Sequence, residues 1–167
     1  MKKDKIEPLG GNKQGMFSFG VPLAEYKCED EYCGIGIGHV KIIKQKKYDN
    51  PNIIEFLKNI QTLRNKSNKL ITHLSYHYLT YFFILKKKGK KYKFLFSDAY
   101  LFTDSKKEYT FTINFPMSLI IKDEKVLVSM GVGDYYNTIT SFKLNQIIQV
   151  CKHNLEEFKM ENYKYKI

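Results

Sequence analysis

Residues 32–43 read YCGIGIGHVKII, an apolar stretch in which glycines alternate with isoleucines and lead to His39. Successive side chains of a β-strand point to opposite faces, so the glycines fall on one face while Ile35, Ile37 and His39 share the other. A strand face without side chains lets another backbone or a ligand come close. We therefore predict a strand over residues 32–43 that carries His39 beside an open face.

A second glycine-flanked strand end occurs late in the chain, where residues 126–140 read VLVSMGVGDYYNTIT. A residue just past glycine at the end of a strand has few neighbouring side chains, so an imidazole or a carboxylate there can meet a ligand instead of the core. Lys41 lies on the same strand face as His39. These residues predict a cationic pocket with Asp134 as an acceptor for sugar hydroxyls or a base. The alternative is that His39 and Asp134 merely cap hairpins.

The remaining pattern predicts a mainly β protein with antiparallel strands. Short apolar alternations are separated by turn signals such as KKKGKK at residues 86–91, and parallel strands would need a crossover between each pair. Such closely spaced turns suit a sandwich or a propeller. Besides residues 32–43, the predicted strands cover residues 21–27, 78–86, 92–96, 109–115, 118–122, 125–130 and 138–142.

Two helices are predicted around these strands. Pro51 begins an inserted helix over about residues 51–66, because proline is favoured in the first turn. An apolar stripe at helical spacing predicts a C-terminal amphipathic helix over about residues 144–160. A chain of 167 residues suits one cooperative core. The expected organisation is a flexible segment over residues 1–17, one β-rich domain over residues 18–160 and a basic tail over residues 161–167.

The formal net charge of +11 suggests an anionic partner, because clustered cations bind phosphates by releasing counterions. Nearly all of this charge is lysine, whereas recognition of bases or phosphates in a fixed geometry favours arginine, and Arg64 is the only one. A chain rich in Lys, Ile, Asn, Tyr and Phe is also what an AT-rich genome would encode. The alternative function is a non-enzymatic basic domain that binds nucleic acid or another polyanion through lysines at 86–88, 90 and 91. A solvated turn also explains these lysines.

The cysteines and the hydropathy of the chain predict a cytoplasmic protein. Cys28, Cys33 and Cys151 form neither an even disulfide framework nor a CxxC pair, so we expect reduced thiols. The N-terminus lacks the apolar stretch of a signal peptide, and no run approaches the roughly 20 apolar residues of a membrane span. We expect neither a metal nor a cofactor.

Two longer segments resemble a known family. GVPLAEYKCEDEYCGIGIGHVKI at residues 20–42 is similar to the strand pair of five-bladed β-propeller glycosidases, especially the mannoside phosphorylases, in which a Gly-x-Pro segment precedes a strand ending in a histidine-bearing turn. FTINFPMSLIIKDEKVLVSMGVGD at residues 111–134 resembles a later part of that family, with a Phe-Pro hinge, an acidic turn and a Gly-x-x-Asp strand end. The order of these motifs matches over residues 18–143.

The resemblance implies partial propeller-like blades whose strands line a central channel where sugars bind. It gives His39 a contact with phosphate or the sugar, Asp134 a role in binding sugar hydroxyls, and Tyr135 an aromatic platform for a sugar face. The protein is then expected to bind carbohydrate and, if active, to be a glycosidase or a glycoside phosphorylase.

The chain lacks part of what that family's fold and reaction require. Five blades of about 40–50 residues each need a longer chain. The expected alternatives are a truncated relative of the family, a chain whose sheet is completed by a companion chain or a homo-oligomer, or a smaller β fold that shares only the motifs. Hydrolysis of a glycosidic bond needs an acid and a second carboxylate. Asp134 is one catalytic candidate and Asp98 is a weaker one, for which a surface turn is the alternative role. The sequence therefore favours carbohydrate binding over catalysis.

Overall fold

The computed structural model describes residues 16–19, 21–43, 51–66, 70–71, 76–99, 110–111, 113–133 and 135–154. The described residues form β1 (Met16–Phe19), β2 (Ala24–Glu25), β3 (Tyr32–Ile43), α1 (Pro51–Lys66), β4 (Leu70–Ile71), β5 (Tyr76–Lys88), β6 (Lys91–Phe96), β7 (Thr110–Phe111), β8 (Asn114–Lys122), β9 (Lys125–Val132), β10 (Tyr136–Lys143) and α2 (Leu144–Val150). The prediction of a mainly β protein is confirmed, and α1 covers the residues predicted for the inserted helix. Neither described helix is long and apolar enough to cross a membrane.

β3 is the central strand of a five-stranded antiparallel sheet, the first sheet. The strand order is β1-β3-β5-β6, and β2 also pairs with β3. The β3–β5 pairing runs from Tyr32 opposite Lys87 to Ile43 opposite Tyr76. This long ladder gives the backbone of β3 hydrogen-bond partners and so allows the strand to be buried.

β8, β9 and β10 form the second sheet, which is antiparallel with β9 in the middle. Asp123 and Glu124 make the tight turn between β8 and β9, with φ angles of 50° and 57° in the left-handed region. Pro116 is tolerated within β8 because this is an edge strand, and a bulge lies between Pro116 and Ser118. β4 and β7 form a short parallel pair, an exception to the predicted antiparallel order.

The first sheet is buried on both faces, between the second sheet and α1. On one face, β3 and β5 pack against β9 and α2 in a cluster that includes Ile35, Ile37, Phe82, Ile84, Val126, Val128, Met130 and Ile147. On the other face, a cluster joins the same strands to β6 and α1 and includes Val40, Ile42, Leu79, Tyr81, Phe83, Phe96 and Ile60. Full burial of one such side chain contributes roughly 1.5–3 kcal/mol.

The glycine face of β3 is closed by side chains of the protein itself. A Cβ at Gly36 would overlap the ring of Phe83, the residue paired with it on β5. A Cβ at Gly34 would lie 2.9 Å from the Tyr32 hydroxyl and 3.3 Å from Leu23 Cβ. Glycine is required here because aromatic groups lie over the strand, an arrangement that compensates for missing side chains. The prediction of an open face is therefore wrong at Gly34 and Gly36.

The ends of the chain differ from the predicted organisation. α2 ends at Val150, and the predicted helix over residues 144–160 is too long. The backbones of His153 and Phe96 exchange hydrogen bonds of 2.8 and 3.0 Å, which draws the chain out of the helix and beside β6. β1 begins at Met16, within the predicted N-terminal segment. Residues 1–15 and 155–167, including the predicted basic tail, lie outside the described residues.

Cys28 and Cys33 form a disulfide bond, so the prediction that all three cysteines are reduced is wrong. Their spacing brackets the turn between β2 and β3, and the hairpin brings them together. Cys151 is a buried free thiol, and burial raises its pKa to about 12. Because the thiolate is the nucleophilic form, Cys151 is inert at neutral pH.

Candidate functional site

His39 lies on the face of β3 that meets the second sheet. Its ring centroid is 4.6 Å from that of Tyr78 on β5 and 4.9 Å from that of Phe115 near the start of β8. His39 is only 6% exposed, whereas Phe115 is 42% exposed. The imidazole is thus packed between two rings, one of which also reaches the surface.

Lys41 and two tyrosines extend this group along the sheet. Lys41 Nζ lies 4.2 Å from the centroid of the Tyr76 ring, which is a cation–π contact. The rings of Tyr76 and Tyr78 are 5.3 Å apart, and both tyrosines are partly exposed. We call these residues, together with the neighbouring Thr80, the His39 cluster: His39, Lys41, Tyr76, Tyr78, Thr80 and Phe115.

Two polar atoms of the His39 cluster are buried without a hydrogen-bond partner among the described residues. They are Nδ1 of His39 and Oγ1 of Thr80. The two residues lie opposite each other in the β3–β5 ladder, so their Cβ atoms are about 4.5–5.5 Å apart on one sheet face. Unpaired buried polar atoms are costly and rare in folded proteins. This pair is therefore not explained by core packing alone.

The imidazole of His39 is held in its neutral form. Burial, and then the positive charge of Lys41, lower the pKa of His39 from its ordinary value of 6.5. A neutral imidazole has one N–H donor and one acceptor nitrogen, which together suit a hydroxyl group. The positive charge of the predicted pocket is consequently that of Lys41.

The second glycine-flanked strand end reaches the same place through β8. Phe115 pairs with Gly131 in the β8–β9 ladder. The N–H of Gly133 donates to the carbonyl of Ile113 over 2.8 Å, and Gly133 turns the chain with a φ of 60°. Phe115 also contacts His39, which lies within β3 and not at its end, since the strand continues to Ile43. The interior of β3 and the end of β9 therefore meet at the first residues of β8.

Of the two predicted site residues that follow Gly133, the structure describes only Tyr135. Asp134 lies outside the described residues, although both of its neighbours in the chain are described. Tyr135 is 77% exposed, and its N–H donates to the carbonyl of Val132 over 3.0 Å. The turn therefore presents Tyr135 where a ligand can reach it.

Asp98, the weaker catalytic candidate, is not brought to the His39 cluster. It follows β6, which β5 separates from β3 in the first sheet. Oδ1 of Asp98 is 3.1 Å from Nε2 of His153. The hydroxyl of Ser97 donates to the Asp98 carbonyl over 2.7 Å and accepts from the Phe82 N–H over 3.0 Å. The contact with His153 joins the segment after α2 to the first sheet, and the Ser97 hydrogen bonds connect the end of β6 to β5.

The hairpin of β5 and β6 carries a separate concentration of charge. Lys86 lies opposite Lys93, and Lys88 lies opposite Lys91, so four lysines share one face of the hairpin. We call these four residues the lysine ribbon. Like charges directly opposite each other destabilise a sheet. Such an arrangement favours an anionic group at this surface.

The disulfide closes an acidic loop over residues 28–33 that lies beside the lysine ribbon. Oδ2 of Asp30 is 3.5 Å from Nζ of Lys86. The ligand atoms of Cys28, Asp30 and Cys33 lie within 4.8 Å of one another. Because the two sulfurs are bonded to each other, they are not thiolates and this group does not offer them to a metal.

The sequence did not indicate four members of the His39 cluster. The alternation in YHYLTYFF at residues 76–83 puts Tyr76, Tyr78 and Thr80 on one strand face, but only the register with β3 sets them beside His39 and Lys41. Phe115 joins the cluster because the two sheets pack together, and no local sequence pattern indicates that packing.

Comparison of the chain with protein-family models, curated proteins and solved structures finds no match in any of the three. The resemblance to propeller glycosidases therefore rests on the motifs at residues 20–42 and 111–134 alone. Any function has to be argued from the geometry of the site.

Proposed function

We propose that the protein binds carbohydrate at the His39 cluster and the adjoining Gly131–Tyr135 turn. The observation that carries this proposal is that Phe115 contacts His39 within β3 and pairs with Gly131 near the end of β9. Ligand sites commonly combine aromatic lining with a few well-placed polar groups. A sugar ring presents apolar faces and hydroxyl edges, and the rings, imidazole and ammonium group gathered here suit both.

The partly exposed members of the cluster make the direct contacts in this proposal. Phe115 and Tyr78 offer rings to a sugar face, and Lys41 donates to a hydroxyl or an attached phosphate. Tyr76 holds Lys41 in position through the cation–π contact. His39 is largely buried and acts chiefly by fixing the rings that pack against it.

The turn after β9 supplies the remaining contacts. Asp134 provides a carboxylate that accepts hydrogen bonds from sugar hydroxyls, and Tyr135 provides an exposed ring. Mannosides are the first class to test, because the motifs around His39 and Asp134 resemble those of mannoside phosphorylases.

In this proposal the two sheets are successive propeller-like blades. Both are antiparallel, and they pack face to face through one apolar cluster, features that a β-sandwich shares. The outer face of the second sheet carries the exposed side chains of Ile120 and Ile139. Exposed apolar patches mark interaction sites, so a companion chain or a second copy would cover this face and complete the arrangement.

The proposal is limited to binding because Asp98, the weaker catalytic candidate, does not lie at the His39 cluster. Glycosidases use two carboxyl groups about 5–10 Å apart. Asp98 contacts His153 on the far side of β5, away from the His39 cluster. Glycosidase or phosphorylase activity would need an acid from the companion chain.

Isothermal titration with a panel of mannosides tests this function. The wild type is expected to bind at least one member saturably, and Phe115→Ala and Asp134→Ala should each weaken binding about tenfold, or about 1.4 kcal/mol. Tyr92→Ala is the matched control, because it removes an exposed ring from the β5–β6 hairpin. Circular dichroism establishes that each variant is folded. No binding by the wild type, or equal affinities in all variants, contradicts the proposal.

A second candidate function is polyanion binding at the lysine ribbon, favoured by its two directly opposed lysine pairs. Binding of a single-stranded oligonucleotide should weaken steeply with salt, with a logarithmic slope of about −0.7 for each phosphate contacted. Lys91→Gln combined with Lys93→Gln should lower that slope by about 1.4. Affinity that does not depend on salt argues against this candidate.

A further inference from the structure

The acidic loop occupies the surface where a polyanion would bind. Asp30 is the one carboxylate within ion-pair distance of the lysine ribbon in the part of the chain that is described. Oε1 of Glu31 accepts a hydrogen bond of 2.9 Å from the N–H of Gly89, in the turn between β5 and β6. The loop thus brings one carboxylate against the ribbon and a second against the turn beside it.

The disulfide keeps the acidic loop in that position. The C-terminal end of the loop is fixed, because Cys33 lies opposite Lys86 in the β3–β5 ladder. Its N-terminal end is tied to Cys33 by the bond from Cys28, beyond the last backbone hydrogen bond, from Tyr26 N–H to the Cys33 carbonyl. Without the covalent bond, residues 28–31 gain conformational freedom that opposes both contacts with the hairpin.

We propose that the acidic loop competes with single-stranded nucleic acid for the lysine ribbon, and that reduction of the Cys28–Cys33 bond relieves the competition. This inference rests on the second candidate function. In the redox step, a dithiol reductant gives two electrons and two protons to the disulfide. The products are two cysteine thiols and the disulfide of the reductant.

Nucleic acid is the chosen ligand because an exposed ring lies on β6, the edge strand that carries Lys91 and Lys93, so that a single strand crossing this edge would reach both faces. Tyr92 is 63% exposed and lies opposite Lys87 on the other face of the same hairpin. Proteins that bind single strands combine cationic grooves with aromatic rings on which bases stack. Tyr92→Ala should therefore weaken oligonucleotide binding without changing its redox dependence. Equal binding by Tyr92→Ala contradicts the choice of nucleic acid and favours a ligand recognised by charge alone.

Fluorescence anisotropy with a labelled single-stranded oligonucleotide tests the redox dependence. Treatment of the wild type with dithiothreitol should tighten binding about threefold to tenfold, the range expected for release of two exposed charge contacts. Cys28→Ser, which cannot form the bond, should bind like the reduced protein without any reductant. Asp30→Asn combined with Glu31→Gln should bind tightly when oxidised and gain nothing from reduction.

A charge-matched control separates the loop from a general effect of net charge. Asp123→Asn combined with Glu124→Gln removes two exposed carboxylates from the turn of the second sheet, and it should leave both affinity and redox response unchanged. An equal gain in this control, or equal affinity of oxidised and reduced wild type, overturns the inference. If the wild type binds in neither state, the second candidate function fails as well. If oligonucleotide binding requires Lys91 and Lys93 but does not change on reduction, the second candidate function stands and only the competition by the acidic loop is excluded.

Discussion

Replacing Gly36 with alanine should destabilise the protein through one side-chain overlap. The added Cβ would enter the ring of Phe83, against its Cζ, Cε1 and Cε2 atoms. That ring has little room to move, since the rings of Tyr81, Phe94 and Phe96 lie 6.1–6.4 Å from it. Overpacking a core costs about 1–3 kcal/mol, and replacing a strand glycine returns about 0.5–1 kcal/mol. We expect a net loss of about 1–2 kcal/mol.

Gly131→Ala is the matched control, because Gly131 is also in the middle strand of a sheet. Its added Cβ would meet Sδ of Met117 at 3.6 Å and Oδ1 of Asn137 at 3.7 Å, which are ordinary contacts. Only the conformational gain applies there, so this variant should be as stable as the wild type or more stable by up to about 1 kcal/mol. The two variants should differ by about 2 kcal/mol.

Equilibrium unfolding in urea measures this difference as a shift of midpoint at constant slope. Adding Phe83→Leu to Gly36→Ala should recover part of the loss, because the smaller side chain leaves room for the new Cβ. A double-mutant cycle is then expected to give a coupling energy of about 1 kcal/mol. Equal stability of the two alanine variants, or strict additivity in the cycle, would refute the packing of Phe83 over Gly36.

Three further predictions concern the cysteines and His39. Reduction of the Cys28–Cys33 bond should lower the free energy of unfolding by about 2 kcal/mol, the chain-entropy value for so short a loop, and an unchanged urea midpoint would contradict this. Thiol titration should find no reactive cysteine in the native oxidised protein and only Cys151 after unfolding, whereas a second thiol before reduction would exclude the disulfide. The pKa of His39 in the folded protein is lowered below 6.5. As the pH falls past 6.5, His39 is therefore protonated in the unfolded chain while it is still neutral in the folded chain. Stability should therefore decrease below pH 6.5, by at most about 1.4 kcal/mol per pH unit, and His39→Gln should flatten this slope; equal slopes would argue against a buried neutral imidazole.

Local patterns predicted the elements of the fold well where one strand or helix carries its own signal. The alternation of residues 32–43 predicted β3 with its observed bounds, and Pro51 predicted the start of α1. The ends of elements depended on distant partners. α2 stops at Val150 because the backbone of His153 pairs with Phe96, and nothing in the helical stripe indicates that pairing.

In the candidate site, too, the features that depend on distant partners could not be predicted from local patterns. His39 and Lys41 could be chosen from their strand face alone, but Tyr78 and Thr80 join them only through the register of β5 with β3. The glycine face looked open because the sequence does not reveal that Phe83 covers Gly36. The disulfide was missed because Cys28 and Cys33 match no common spacing, although a hairpin turn brings them together.

The central claim is that carbohydrate binds where Phe115 contacts His39 of β3 and pairs with the end of β9. Backbone amide chemical shifts, recorded while a mannoside is added, test it most directly. The account predicts saturable shifts at residues 39–41, 113–115 and 131–135, with none in the lysine ribbon. Shifts confined to residues outside these three segments, or no shifts at saturating mannoside, would contradict it.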